Sequence, residues 1–237
     1  MITLYQFPKG KRFPNLSPFC VKLETYFRLA GIPYQCVYTV SLKNAPKKKM
    51  PYIELSGDRI ADTQFIIERM SKTRPEWDLD RNLTSEQRAL TTVVQRSMEE
   101  SFMYVMAHLR WADEEGWKEF SPIVFHGAPK LVRSLIGGVM HRKAKQRGWL
   151  HGVGRHSRNE IIEIATRDLE AVSTLLGDKK FFFGEKPSMI DCVLFGFLGQ
   201  VTHNKLPSAL TERANRFANL TPYVERMYER YNAAANP

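Results

Sequence analysis

Three short stretches of this chain combine residue types that can bind a polar or anionic ligand. The first is Ser17-Pro18-Phe19-Cys20, where a serine stands directly before the start of a helical pattern. A serine in that position predicts an N-cap, beside backbone N–H groups that favour anions. Met50-Pro51 opens a strand-like run, and Asp62-Thr63 opens a second helical run. The sequence therefore predicts two helix N-termini, each with a hydroxyl group available to a ligand.

The elements that must position these stretches alternate between strand and helix. The turn at residues 56–59 predicts a hairpin with Gly57-Asp58 at its tip. Such an order favours a small mixed sheet of the thioredoxin type, with helices on its faces. The predicted strands are residues 2–7, 34–40, 52–55 and 59–61, and the predicted helices are residues 18–30 and 64–71.

The remainder of the chain is typical of helices. Residues 73–84 lack an apolar period and predict a linker. Thr84 with Gln87 predicts a capping box that opens one long helix reaching Leu109, and Ser188-Met189-Ile190-Asp191 predicts another box before a buried helix. Pro222 is expected at the N1 position of the last helix. We therefore expect a sheet-containing domain at residues 1–72, a linker at 73–84 and an all-helical domain at 85–237.

The charge and composition of the chain limit the class of protein to which it can belong. The chain of 237 residues has a formal net charge of +10, and residues 121–159 contain no acidic residue. A basic stretch fits an anionic small ligand, an anionic membrane surface or nucleic acid. The N-terminal residues lack the pattern of a signal peptide, and three widely spaced cysteines fit reduced thiols. We expect a cytoplasmic protein.

The order of these motifs resembles the cytosolic glutathione transferase superfamily, and within it the failed axon connections and metaxin-like branch. The resemblance implies an α/β thioredoxin-like N-terminal domain plus an all-α C-terminal domain, the glutathione transferase fold. The stretches that carry it are Leu4-Tyr5-Gln6-Phe7-Pro8, Leu16-Ser17-Pro18-Phe19-Cys20, Ala30-Gly31-Ile32-Pro33-Tyr34, Pro51-Tyr52-Ile53-Glu54-Leu55, Ile60-Ala61-Asp62-Thr63, Gly152-Val153-Gly154-Arg155-His156, Asp168-Leu169 and Pro187-Ser188-Met189-Ile190-Asp191-Cys192.

The resemblance also implies that glutathione binds the N-terminal half as co-substrate. Met50, before a cis Pro51, would offer its backbone to the cysteinyl part of glutathione. Asp62 and Thr63 would bind the γ-glutamyl end through a carboxylate and a hydroxyl group. Two further residues complete the expected glutathione site: Lys49, from the lysine run at residues 47–49, and Phe19. An ordinary N-cap at Asp62 and a solvated lysine loop are the alternatives.

The resemblance makes Ser17 the candidate catalytic residue. A cysteine there would favour mixed-disulfide chemistry, whereas a serine hydroxyl can donate a hydrogen bond to the glutathione thiolate and so lower the pKa of the thiol. A plain N-cap is the alternative role. Tyr5 is the alternative thiol activator, because other transferase classes use a tyrosine near that position. We expect Cys20 to face the core, so that dithiol cycling is not expected.

The electrophilic substrate is expected against the long helix after the linker. Tyr104, His108 and Trp111 are the candidate pocket residues there, although an aromatic stripe at helical spacing is also typical of a core. Arg155 either meets an anionic substrate or anchors a loop. No metal is expected, because His151 and His156 lack further ligands at metal spacing.

Two hypotheses about function predict different binding partners for this chain. The enzyme hypothesis expects glutathione, a small electrophile and a homodimer, and leaves open conjugation, isomerisation or peroxide reduction. The alternative is a non-catalytic scaffold of the metaxin type, in which the basic amphipathic segment at residues 131–147 would lie on an anionic membrane surface. Nucleic acid is not expected as a partner, since the segment carries no recognisable motif for it.

Overall fold

The computed structural model describes residues 1–127 and 129–234. The strands are β1 (Ile2–Gln6), β2 (Tyr34–Tyr38), β3 (Tyr52–Leu55) and β4 (Asp58–Ala61), and the helices of this half are α1 (Pro18–Leu29) and α2 (Thr63–Thr73). The four-stranded sheet has the order β2-β1-β3-β4, in which β1 runs parallel to β2 and antiparallel to β3. β3 and β4 form an antiparallel hairpin.

The hairpin turn differs by one residue from the prediction. Leu55 pairs with Asp58, so Ser56 and Gly57 form the tip rather than Gly57 and Asp58. Both tip residues have positive φ, 53° for Ser56 and 90° for Gly57. A two-residue loop of this kind matches the twist of the paired strands, and it explains why β4 starts one residue earlier than expected.

The rest of the chain is helical, which confirms the predicted fold class. The predicted capping boxes at Thr84 and Ser188 are both present. The last helix begins at Leu220, so the N1 prediction for Pro222 is wrong by two residues. The helices are α3 (Ser85–Arg96), α4 (Met103–Trp111), α5 (Glu114–Val124), α6 (Lys130–His151), α7 (Arg158–Leu176), α8 (Met189–Thr202), α9 (Ser208–Ala214) and α10 (Leu220–Ala233).

The predicted long helix after the linker is interrupted by a π-helical turn, Ser97–Phe102, between α3 and α4. Such turns shift the helical register, and they are frequent at functional sites. Met98 and Phe102 enter the core from this turn, while the hydroxyl groups of Ser97 and Ser101 donate to the Asp168 carboxylate on α7. The turn thereby fixes which side chains α4 presents to the sheet-containing half.

The predicted linker at residues 73–84 is held against the helical half. It contains a 3₁₀ turn, Pro75–Trp77. The Asp80 carboxylate accepts a hydrogen bond of 2.8 Å from the backbone N–H of Met189, at the start of α8. The domain boundaries that we placed around this segment stay a prediction.

The core is continuous between the two halves, along the contact between α1 and α8. Every residue of α8 is buried. A Cβ atom at Gly196 would lie 2.5 Å from the carbonyl oxygen of Pro18, so glycine is what lets the two helices approach this closely. Phe19 of α1 packs edge-on against Phe197 of α8, with ring centroids 5.5 Å apart.

Within the described part of the chain, no helix combines the length and apolar character that crossing a membrane requires. Cys20, Cys36 and Cys192 are all free thiols.

Candidate functional site

Ser17 caps the N-terminus of α1, in extended backbone conformation. Its side-chain oxygen accepts a hydrogen bond of 3.4 Å from the backbone N–H of Cys20. The residue is half-buried. Because the oxygen acts as the acceptor in this cap, the hydroxyl proton stays available to a ligand at the helix end. Cys20 is fully buried, as expected, and burial raises the pKa of its thiol to about 12.

Buried polar side chains hold the loop that delivers Ser17. The Asn15 side chain accepts from the Ser17 N–H at 3.0 Å and donates to the Phe7 carbonyl at 2.8 Å. Gln200 of α8 donates to the Asn15 carbonyl at 3.0 Å. Arg110 of α4 donates to the Leu16 carbonyl at 3.2 Å. The position of Ser17 therefore depends on side chains from the helical half.

Met50 and Pro51 are joined by a cis peptide bond, as the resemblance implies. The Met50 side chain is buried in a small apolar cluster with Cys20 and Tyr52. This cluster links the start of α1 to the start of β3. It places two of the three predicted stretches side by side.

Tyr5, the alternative thiol activator, lies in β1 opposite Tyr52. The two rings stack in parallel, with centroids 4.5 Å apart. The stacking ties Tyr5 to the sheet, whereas Ser17 lies at the helix N-terminus. The choice of Ser17 over Tyr5 stays a prediction.

Asp62 and Thr63 start α2. Asp62 has φ of 80°, and its carboxylate accepts from the Gln64 N–H at 3.0 Å, which confirms the expected N-cap. Its other oxygen lies 4.0 Å from the ammonium nitrogen of Lys47. About half of each of these two side chains is exposed, so the pair is open to a ligand.

Lys22 lies directly behind Thr63, a position that the sequence patterns did not indicate. The fully buried Lys22 ammonium group donates to the Thr63 hydroxyl oxygen at 3.0 Å and to the Glu99 carboxylate at 2.7 Å. Since the hydroxyl oxygen accepts from Lys22, its proton is free to donate. The only signal in the sequence was a lysine inside the apolar pattern of α1.

The three lysines at residues 47–49 lie in different environments. Lys47 approaches Asp62 and lies 4.9 Å over the ring of Phe65. Lys48 donates to the carbonyl of Lys43 at 2.7 Å. Lys49, the lysine that we assigned to glutathione, is exposed. The side chain of Phe19 is partly buried and packs edge-on against Phe197, and its assignment to the glutathione site stays a prediction.

The four predicted pocket residues make their contacts within the helical half. The Tyr104 ring stacks on His151 at 3.7 Å, and Trp111 packs edge-on against Phe120 at 4.8 Å. Arg155 donates to the Trp149 carbonyl at 3.1 Å, so it anchors a loop. His108 lies against Gly148.

The packing of α6 explains why these side chains make their contacts within the helical half. Tyr104, His108 and Trp111 share a face of α4, and α6 packs along that face. From the sequence, we expected the same face to be open to an electrophile. The assignment of these side chains to the substrate pocket stays a prediction.

The basic segment predicted at residues 131–147 lies within α6. Its apolar residues Leu131, Leu135, Ile136 and Val139 are exposed, and Leu131 is 70% exposed. Among the residues that the structure describes, no group of three or more His, Cys, Asp or Glu side chains could hold a metal ion.

Comparison with known proteins identifies two domain matches. Residues 18–116 match the model of the glutathione S-transferase N-terminal domain, and residues 165–227 match that of the glutathione S-transferase C-terminal domain. Residues 117–164, which contain α6, lie outside both matches.

Three curated proteins are similar over nearly the whole chain. Failed axon connections from Drosophila melanogaster is 31% identical over 97% of the chain, which spans 58% of the length of that relative. Isoprene-epoxide–glutathione S-transferase from Rhodococcus is 28% identical over 98% of the chain and 100% of its own length. Bovine metaxin-1 is 26% identical over 96% of the chain and 74% of its own length.

Solved structures agree on the fold. A glutathione S-transferase from Methylobacterium radiotolerans in complex with glutathione sulfonate superimposes with a TM-score of 0.63 at 15% identity, over 100% of this chain and 94% of its own. A second one, from Methylobacillus flagellatus with glutathione bound, gives a TM-score of 0.63 at 13% identity, over the whole of both chains.

Proposed function

The chain belongs to the glutathione S-transferase family, and from this premise we propose that it is a transferase in which Ser17 stabilises the thiolate of bound glutathione. The observation that carries the proposal is the cap geometry of Ser17. Its oxygen accepts from the Cys20 N–H while its proton is free, at a helix end that itself favours negative charge. Both effects lower the pKa of a thiol placed there.

The second helix end would hold the γ-glutamyl part of glutathione. The Thr63 hydroxyl and the N-terminus of α2 would bind its carboxylate, and Asp62 would pair with its ammonium group. Lys47, which lies beside Asp62, would add positive charge at this γ-glutamyl end, whereas the exposed Lys49 is our candidate for the glycyl carboxylate at the other end of the tripeptide. Between these groups, the backbone of Met50 would align the cysteinyl part.

We further propose conjugation to a small epoxide, on the basis of the relative that acts on isoprene epoxide. The thiolate sulfur attacks an epoxide carbon, a C–S bond forms and the C–O bond of the ring breaks. The alkoxide that results takes its proton from water. Ser17 keeps its own proton throughout, because its role is to donate a hydrogen bond.

The test replaces Ser17 with alanine and follows the ultraviolet absorbance of the bound thiolate as the pH is raised. A lost hydrogen bond to a charged group is worth about 1.5–3 kcal/mol, so we expect the thiol pKa to rise by roughly 1–2 units. Ser157→Ala is the matched control, since it removes the N-cap of α7 outside the site. Absence of glutathione binding in calorimetry, or an unchanged thiol pKa in Ser17→Ala, would refute the proposal.

A second candidate function is that of a membrane-associated scaffold. It is favoured by the exposed apolar residues Leu131, Leu135, Ile136 and Val139 on α6, next to the exposed cations Arg142 and Lys143. This pattern suits the surface of an anionic bilayer. The proposal needs no helix that crosses the membrane.

Co-sedimentation with vesicles tests this second candidate. We expect binding to phosphatidylserine vesicles to weaken by roughly tenfold in Leu135→Ser, because a large apolar side chain no longer enters the bilayer. Leu175→Ser is the control, as Leu175 is a partly exposed leucine on α7. Equal sedimentation of all three proteins, or sedimentation with none of the vesicles, speaks against a membrane role.

A further inference from the structure

The loop between β1 and α1 folds into a hairpin with a cationic tip. Lys9 and Asn15 form an isolated antiparallel bridge, so the residues between them turn back on themselves. Lys11 and Arg12 are exposed in this turn. Residues 1–23 contain no acidic residue, and the hairpin therefore concentrates positive charge just before the start of α1.

Phe13 holds this hairpin against the helical half. Its side chain is 2% exposed and packs edge-on against Phe195 of α8, with ring centroids 4.9 Å apart. Glycine at position 199 leaves room for the ring, since a Cβ atom there would overlap it. The backbone that carries the two cations is therefore fixed relative to α8 before any partner binds.

The first half of α6 extends past the end of α4. The Nδ1 atom of His141 lies 2.7 Å from the carbonyl oxygen of Trp111, the last residue of α4, and Gly148 packs further back along the same helix. The residues before His141 therefore lie beyond α4. They pack on α5 instead, where a Cβ atom at Gly137 would lie 3.2 Å from the ring of Trp117.

The hairpin and this half of α6 meet at the end of α5. The Lys11 ammonium nitrogen lies 3.4 Å from the Nε2 atom of His126, and α6 begins four residues after that histidine. Leu131, Leu135 and Val139 are exposed, and at roughly 100° per residue they lie within about 80° of one another around the axis of α6. This apolar stripe therefore starts next to the cationic tip of the hairpin.

An apolar stripe bordered by cations fits the surface of an anionic bilayer. Leu131 and Leu135, which are 70% and 63% exposed, would enter the acyl boundary, while Lys11 and Arg12 would meet the anionic headgroups. A second copy of the chain is a poor partner for this surface. Residues 121–159 contain no acidic residue, so two such faces would repel each other.

We propose that the apolar stripe of α6 and the tip of the hairpin form one docking surface for an anionic bilayer, and that the Ser17 site takes an apolar epoxide from that bilayer, a step that rests on both functions proposed above. The hairpin leads directly into Ser17, so docking holds the start of α1 at the lipid surface. The chemistry is the same ring opening: the C–S bond forms, the C–O bond of the ring breaks and the alkoxide takes a proton from water.

Co-sedimentation of the full chain with phosphatidylserine vesicles tests the docking surface. Lys11→Gln with Arg12→Gln should weaken binding by at least about tenfold, because each cation close to an anionic bilayer adds to the attraction. Lys72→Gln with Lys186→Gln is the matched control. It removes the same charge from two exposed positions, in the last turn of α2 and just before the start of α8, and should bind like the wild type.

Vesicle binding requires no glutathione, so its outcome is independent of the transferase role. Loss of binding in Leu135→Ser with full binding in the hairpin variant would leave a membrane role for α6 and overturn the single surface. An equal loss in the Lys72 and Lys186 control would reduce the effect to overall charge, with the same consequence. Sedimentation of none of the proteins would refute the membrane role together with this inference.

The source of the electrophile is tested with two epoxides, 1,2-epoxydodecane held in the vesicles and glycidol dissolved in the water. We expect Leu135→Ser to slow glutathione conjugation of the vesicle-held epoxide by roughly tenfold, because less protein reaches the bilayer, and to leave that of glycidol unchanged. Equal rates for the variant and the wild type with both epoxides would mean that the electrophile arrives through water, which overturns the proposal. Conjugation of neither epoxide would refute the transferase role, while sedimentation still decides the docking surface.

Discussion

At the scale of single residues, the contact that the sequence did not reveal is the buried group of Lys22, Thr63 and Glu99. Lys22 comes from the middle of α1, Thr63 from the start of α2 and Glu99 from the π-helical turn. The ammonium group orients the Thr63 hydroxyl, because it occupies the hydroxyl oxygen and leaves the proton for a ligand. The same ammonium group is the ion partner of the nearly buried Glu99 carboxylate. This group would therefore link the stability of the protein to the glutathione binding that we propose.

A double variant separates these two roles. Lys22→Met leaves the Glu99 carboxylate without its ion partner, so we expect the free energy of unfolding to fall by about 3–5 kcal/mol in urea titrations. Lys22→Met with Glu99→Gln removes both charges and should regain most of that loss. Calorimetry should still find glutathione binding roughly tenfold weaker in the double variant. Affinity restored together with stability would show that Lys22 has a structural role only.

At the scale of secondary-structure elements, the closeness of α1 and α8 decides where Ser17 lies. α8 is buried over its whole length, and its Gly196 allows the carbonyl oxygen of Pro18 to approach. The loop before α1 is held by Gln200 from α8 and by Arg110 from α4. The helical half therefore acts as the support on which the end of α1 that carries Ser17 is fixed.

Gly196→Ala tests this support. The added Cβ would lie 2.5 Å from the Pro18 oxygen, so the helices must move apart. We expect a loss of about 1–3 kcal/mol in stability and a lower melting temperature. Gly138→Ala, where a Cβ has no neighbour within 4 Å, should be neutral or stabilising by up to about 1 kcal/mol. Equal effects of the two substitutions would mean that the α1–α8 contact tolerates an extra methyl group.

At the scale of the whole molecule, the chain combines a shared fold with a helical segment that neither transferase domain model matches. Residues 18–116 and 165–227 match those models. Between them, α6 covers the face of α4 that bears Tyr104, His108 and Trp111. The candidate membrane face belongs to this segment. The functions that distinguish this chain within its family are therefore expected there.

Local patterns were enough to predict much of the fold. Strand alternation, helical periods and N-cap residues depend on neighbours a few positions away, so the sequence alone indicated the sheet, the helices and the caps at Thr84 and Ser188. The same local chemistry placed Ser17 and Asp62 at helix N-termini. The errors at the hairpin tip and at Pro222 are shifts of one or two residues, which is where local signals are weakest.

Only the tertiary structure decided which side chains meet. The Lys22 contacts span 41 and 77 residues of chain, and nothing in the local sequence around a lysine encodes so distant a partner. The packing of α6 on α4, the approach of Lys47 rather than Lys49 to Asp62, and the support of Ser17 by Arg110 have the same origin. The sequence by itself determined the helix end and the serine hydroxyl of the site that we propose for the thiol. Long-range packing placed the Lys22–Glu99 ion pair behind Thr63 and laid α6 over one face of α4. Burial and ion pairing of this kind arise only when distant elements are brought together.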